Sequence, residues 1–183
     1  ESAMPRGPTA DAAYATLVYD QPRRSILSRP GGLECAIELH SMSKSYNMTG
    51  WRLGFVAGPP RAVQAFAEVK DNTDSGQFKA IQRAACAGIA DLSLSEAIRE
   101  HYRRRLVRLV EVLRDVGFDA RMPGGTFYLY VRAPRGAGDT EFTTAEEASQ
   151  YLIREWSVST VPWDDVGPYL RFSATFEARH ETD

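Results

Sequence analysis

The chain has 183 residues, 43% apolar and 25% charged, with a formal net charge of −2. That length carries one ordinary core or part of a larger protein, and the charge balance leaves no excess of positive charge to argue for nucleic acid or an anionic membrane surface. No apolar run approaches the roughly 20 residues of a membrane-spanning helix, and no signal peptide is visible. Cys35 and Cys86 stand apart in apolar stretches with no Cys/His cluster, so no metal site is expected and both read as buried, reduced thiols. These features point to a cytoplasmic protein with neither nucleic acid nor membrane as partner. The chain begins at Glu1 instead of methionine, and its first ten residues hold two prolines and little apolar content, so its start reads as cut or misplaced.

Apolar and β-prone residues over 13–19 predict a short strand, followed by a Pro/Gly-marked loop over 21–32. Residues 35–39 (CAIEL) and 52–57 (RLGFVA) read as buried strands on either side of a polar, irregular stretch, 41–51. Helical spacing of apolar residues follows over 61–70 and 77–91. Ser93 and Glu96 form a capping-box pattern for a helix from about 96 to 116, with Ile98, Tyr102, Leu106, Leu109 and Leu113 on one face and Gly117 as the C-terminal stop. Its other face is rich in arginine. Interleaved Glu96, Glu100, Glu111 and Asp115 make that face a solvated, ion-paired one more than a binding patch. A strand over 125–131, a loop over 132–140, a helix opened by Thr144 and Glu147, and strands over 157–161 and 169–176 complete a small α+β unit. The predicted fold class is α/β, with a domain boundary at 92/93.

The chemistry concentrates in residues 41–55, SMSKSYNMTGWRLGF. Lys44 stands among small hydroxyl residues just after a buried strand, where α/β folds place ligands. Arg52, eight residues on, carries a fork of donors suited to phosphate. Amine, hydroxyls and guanidinium together suit a phosphorylated aldehyde, although composition alone also fits a polar surface loop.

The string S-x-S-K-x-x-x-x-x-G-x-R-x-G resembles the lysine signature of the class I/II aminotransferases, which depend on pyridoxal phosphate (PLP) and have the fold-type-I architecture. The resemblance extends over nearly the whole chain beyond its first ten residues. It implies that residues 1–92 are the C-terminal remainder of the PLP-binding large domain and 93–183 the small C-terminal domain. It further implies that Lys44 carries the cofactor and acts as the general base, that Asp11 pairs with the pyridine nitrogen, and that Tyr14 bonds the ring hydroxyl. Ser41 and Arg52, with Ser43 as a further candidate, would hold the phosphate, and Arg171, in YLRFSATF, would clamp the substrate carboxylate. Ser75 sits where the family has a loop at a dimer interface, and the turn 122–128 (MPGGTFY) is read as structural.

The implied substrates are an amino acid and a 2-oxo acid, and the implied assembly is a homodimer of the full-length parent. The segments VPWDDVGPYLRFSATFEA and DNTDSGQF resemble the LL-diaminopimelate aminotransferase group in particular. Family members run about twice this length. The strand expected to lead into Asp11 is not legible in MPRGPTA, and a large domain lacking its N-terminal half should expose strand edges and apolar faces. Rival readings are another PLP reaction on the same scaffold (a decarboxylase, a C–S lyase, an aminocyclopropane-carboxylate synthase) and a non-catalytic fragment.

Overall fold

The structure, a computed structural model, describes residues 7–176. The chain divides into two compact units, Glu1–Arg99 and Glu100–Asp183.

The first unit is built on a three-stranded sheet in the order β1-β2-β3. Strand β1 (Thr9–Asp11) runs parallel to β2 (Ile37–Ser41), with Asp11 opposite Leu39. Strand β3 (Gly54–Ala57) is antiparallel to β2 and places Gly54 opposite Ser41. The strand sought in vain before Asp11 therefore exists. Three residues of modest β-propensity are held by the ladder to β2, a tertiary pairing that overrides local preference. The strand expected over 13–19 does not form. Ala12 donates its N–H to the Leu39 carbonyl at 2.8 Å, and bonds from Ala15 to Ala12 and from Leu17 to Tyr14 then wrap the chain into turns. Leu17 is the fully buried residue of this stretch.

Two short helices, α1 (Gly32–Cys35) and α2 (Met42–Ser45), flank β2. Helices α3 (Pro60–Asp71) and α4 (Lys79–Ala90) follow β3, and Pro60 opens α3 at a position where its missing N–H costs nothing. Apolar side chains stand in solvent here: Val69 of α3 is 67% exposed, and Phe78, the residue before α4, is 71% exposed. Phe66, Val69 and Phe78 bring three exposed large apolar side chains together over a short span.

Helix α5 (Leu92–Asp115) crosses the division between the units. Its N-terminus is capped by Asp91, whose Oδ1 accepts from the Ser93 N–H at 3.0 Å, so Ser93 lies inside the helix and is not its cap. The buried stripe is Ile98, Tyr102, Leu106, Val110 and Leu113, with Val110 in place of the expected Leu109. Gly117 ends the helix at φ 94°, a conformation that favours glycine. The arginine face is partly ion-paired, as in Arg99–Glu96 and Arg103–Glu100. Other arginines fasten backbone: Arg105 donates to the Ala174 carbonyl at 3.0 Å and Arg114 to that of Ala120 at 2.7 Å.

The second unit holds a three-stranded antiparallel sheet in the order β4-β8-β7. Its strands are β4 (Tyr128–Arg132), β7 (Val161–Trp163) and β8 (Tyr169–Ser173). A two-residue pair, β5 (Gly136–Ala137) and β6 (Thr140–Glu141), makes a small hairpin. Alternation along β4 and β8 buries Leu129, Val131, Leu170 and Phe172 on one face. Helix α6 (Ala145–Trp156) begins with the expected capping box, Thr144 with Glu147. The strand read over 157–161 starts only at Val161, because Ser157 takes a left-handed φ of 55° as the helix C-cap. In the turn before β4 the positive φ (67°) falls on Thr126 and not on either neighbouring glycine, a strained setting for a β-branched residue.

Candidate active site

Parallel pairing brings the C-terminal ends of β1 and β2 to the same edge of the first unit's sheet, and antiparallel pairing brings the start of β3 there too. Asp11 ends β1, Ser41 ends β2, and Arg52 lies two residues before the Gly54 that pairs with Ser41. Five of the residues singled out above, Asp11, Ser41, Ser43, Lys44 and Arg52, are thus gathered at one end of one sheet. Tyr14 lies in the turn after β1, and it lines a cleft with Asp11, Arg24, Ile26 and Glu38. Ser41, Ser43, Lys44 and Arg52 are not among that cleft's lining residues. Arg171 lies on β8 of the other unit.

The turn that carries Lys44 is tied down by backbone bonds. Met42 donates to the Leu53 carbonyl at 3.0 Å, while Tyr46 and Met48 both donate to the Met42 carbonyl. The Ser41 hydroxyl accepts from the Ser43 N–H at 3.2 Å and caps α2. The Thr49 hydroxyl donates to the Ser43 carbonyl at 2.9 Å. Met42 is fully buried and anchors the turn, whereas Lys44 is half-buried. Arg52 adopts φ 52° and donates to the Thr49 carbonyl at 2.8 Å, with the side chain otherwise exposed. Gly54 is required by packing, since a Cβ there would stand 2.5 Å from the His40 carbonyl oxygen. Nothing in the structure explains Gly50, around which a Cβ would meet open space.

Asp11 accepts from the Ala13 N–H at 3.0 Å and so shapes the turn that presents Tyr14. Glu38 lines the same cleft, a place its sequence context did not signal as functional. Glu38, 5% exposed, accepts from the Ile26 N–H at 2.6 Å and from His40 Nε2 at 2.9 Å. Burial pushes its carboxyl up, but bonds from Ser25, His40 and Ile26 and the His40 charge outweigh burial and hold it below the usual glutamate value. An acidic residue inside the apolar run CAIEL was the available signal, since a buried charge needs partners.

In the second unit, Arg171 projects from the sheet face opposite the buried Leu170 and Phe172, and its guanidinium carbon lies 4.5 Å from the Tyr128 ring centroid. Its Nε is buried without a hydrogen-bond partner among the described residues. Trp163, on the neighbouring β7, precedes Asp164, whose carboxylate accepts from the Ala145 N–H at 2.8 Å and from that of Glu146 at 3.3 Å. That segment is thereby locked to the start of α6, a structural role the sequence did not reveal.

The donor set suits pyridoxal phosphate by its chemistry: an amine on a fixed turn, a carboxylate and a phenol on the adjoining turn, and hydroxyls with a guanidinium at the same end of the sheet. A class of α/β protein with a lysine-bearing turn at the C-terminal ends of its parallel strands is what this fold and site define. The description "Aminotransferase class I and II" matches residues 8–180, and the chain belongs to that family. The LL-diaminopimelate aminotransferase of Methanocaldococcus jannaschii is 54% identical over 171 residues, 93% of this chain and 41% of that protein. That of Nitratidesulfovibrio vulgaris (strain Hildenborough) is 36% identical over 174 residues, 91% of this chain and 43% of that protein.

Among solved structures, substrate-bound BacF from Bacillus subtilis superposes with a TM-score of 0.81 at 29% identity, covering 93% of this chain and 44% of that one. The aspartate aminotransferase of Rhizobium meliloti superposes at 0.78 with 28% identity, covering 92% and 45%. The chain therefore has part of the fold-type-I architecture, and it spans about two-fifths of the length of the curated relatives it matches. No described helix is long and apolar enough to cross a membrane, and no group of metal-ligating side chains occurs among the described residues.

Proposed function

We propose that the protein takes part in PLP-dependent transamination, the reversible transfer of an amino group between an α-amino acid and a 2-oxo acid. We further propose that its substrates are those of the LL-diaminopimelate aminotransferases it resembles. The observation that carries this reading is the pinned turn over residues 41–52, which sets Lys44 at the end of β2 beside the end of β1 that bears Asp11.

When bound, the cofactor supplies an aldehyde for amines and a protonated ring that takes up the electron pair left on the substrate Cα. The Asp11 carboxylate holds the proton on the ring nitrogen. Tyr14 donates its phenolic hydrogen to the ring oxygen, and Ser41, Ser43 and Arg52 hold the phosphate, the arginine through charge-assisted bonds. Lys44 Nζ would hold the cofactor at its aldehyde carbon, and as a free amine would move the proton at the substrate Cα as general base and acid. Arg171 receives the substrate carboxylate on two N–H groups. Residues 1–92 then belong to the cofactor-binding domain and 93–183 to the small domain, in a parent that forms a homodimer in the cytoplasm.

The test is the visible absorption of the purified chain with PLP, before and after borohydride, beside Lys44→Ala. A band that borohydride removes, and that Lys44→Ala lacks, supports the cofactor role. Stoichiometric formation of pyridoxamine phosphate with an amino acid supports transamination over decarboxylation or C–S cleavage. A folded chain that gives no such band, alone or with the N-terminal part of a relative supplied, would overturn the reading.

A further inference from the structure

Arg171 is a cation whose charge no carboxylate offsets among the described residues, and its contact with the Tyr128 ring is the side-chain interaction the structure gives it. Strands β4 and β8 pair with Tyr130 opposite Arg171 and Tyr128 opposite Ser173, so Tyr128 and Arg171 are diagonal neighbours on one face of the sheet. That diagonal is within reach of an aromatic ring and a long side chain. The ring is held from behind. Phe127, 4% exposed, packs against Tyr102 at 5.1 Å and meets Tyr128 edge-on at 4.7 Å, and its carbonyl accepts from the Ala174 N–H at 2.9 Å.

We infer that Tyr128 is a positioning residue for Arg171: its ring face fixes the plane of the guanidinium while leaving the in-plane N–H groups for a carboxylate ligand. This rests on the proposed role of Arg171 as the carboxylate receptor. An ion-pair partner would also orient the guanidinium, but it would consume donors and offset the charge that attracts the ligand. A ring face takes the cation by its quadrupole and uses no N–H. The hydroxyl of Tyr128 is not needed for this, so phenylalanine should serve equally and an aliphatic residue should not.

The experiment follows the Arg171 side-chain Nε–H signal by NMR in the full chain, identified by its loss in Arg171→Lys, during titration with pyruvate and with its neutral methyl ester. Wild type should show an upfield, ring-shifted signal that stays so shifted as pyruvate binds. Tyr128→Phe should match wild type within about twofold. Tyr128→Leu should weaken pyruvate binding about 3- to 30-fold, the range of one such contact, and leave the ester unaffected. Unchanged pyruvate affinity in a folded Tyr128→Leu would overturn the inference. So would a wild-type signal that leaves its ring-shifted position on binding, which needs no variant to fold. If Arg171→Gln binds pyruvate as tightly as wild type, the assignment of Arg171 itself fails, and the inference goes with it.

Discussion

The Glu38 carboxylate and the His40 ring, two residues apart on the same face of β2, meet at 2.9 Å, and the ring lies flat on Phe55 of β3 with centroids 4.6 Å apart and planes 3° apart. The pair fastens the strand immediately before the lysine-bearing turn both to the segment at Ser25 and Ile26 and to the neighbouring strand. A carboxyl held below its unfolded value adds stability that is fully present above the unfolded pKa, about 4.3 for glutamate, and is lost as pH falls through the folded value. Denaturant titrations should therefore show an acid-side loss of stability beginning near that pH. Glu38→Gln should be about 1–3 kcal/mol less stable at pH 7 and should show a shallower acid limb. An acid limb unchanged by the substitution would assign the loss to other carboxyls.

Lys44→Ala should remove the borohydride-sensitive band and lower any transamination rate by at least about 10²–10⁴-fold, the range for loss of a general base alone. Exogenous small amines should restore part of the proton transfer. Steady-state rates in the assembled enzyme, with and without an added amine, measure both effects.

Gly54→Ala places a methyl group 2.5 Å from the His40 carbonyl oxygen, where backbone must move. The expected cost is about 1–3 kcal/mol. Because Gly54 is opposite Ser41, cofactor affinity should fall as well. Gly50→Ala meets no atom within 4 Å and should be nearly neutral, so comparing the two melting temperatures tests the packing argument.

Asp164→Ala removes both side-chain bonds to the first turn of α6 and should cost about 1 kcal/mol, as for loss of an N-cap. The neighbouring Trp163 should gain mobility, which near-ultraviolet circular dichroism reports. Asp165→Ala serves as the control, and equal effects of the two would argue against the capping role.

Within unit 2, a buried polar pair makes a sharper test of packing. Thr160 donates its hydroxyl to Ser149 Oγ at 3.0 Å, and Ser149 donates to the Thr160 carbonyl at 3.2 Å, joining α6 to the residue before β7. Thr160→Val keeps the shape and removes one bond, for an expected loss of about 0.5–1.5 kcal/mol in urea unfolding.

By itself the sequence determined the helices, because apolar periodicity and caps are local: α3, α4 and α6 lie within a few residues of where spacing and the Thr144/Glu147 pair put them. It also determined the lysine turn, because S-x-S-K with the later glycine and arginine is a spacing that few unrelated loops share. Strands were harder to place. Thr9–Asp11 became a strand through pairing with residues 28 positions away, while the more β-prone 13–19 turned away because Ala12 made the last bond of that ladder. Only the tertiary structure decided which face each side chain takes: that Glu38 is buried among Ser25, Ile26 and His40, that Asp164 caps α6, and that Tyr128 lies over Arg171. These relationships depend on cross-strand register and long-range closure, and a one-residue slip in register would send each of these strand side chains to the opposite face.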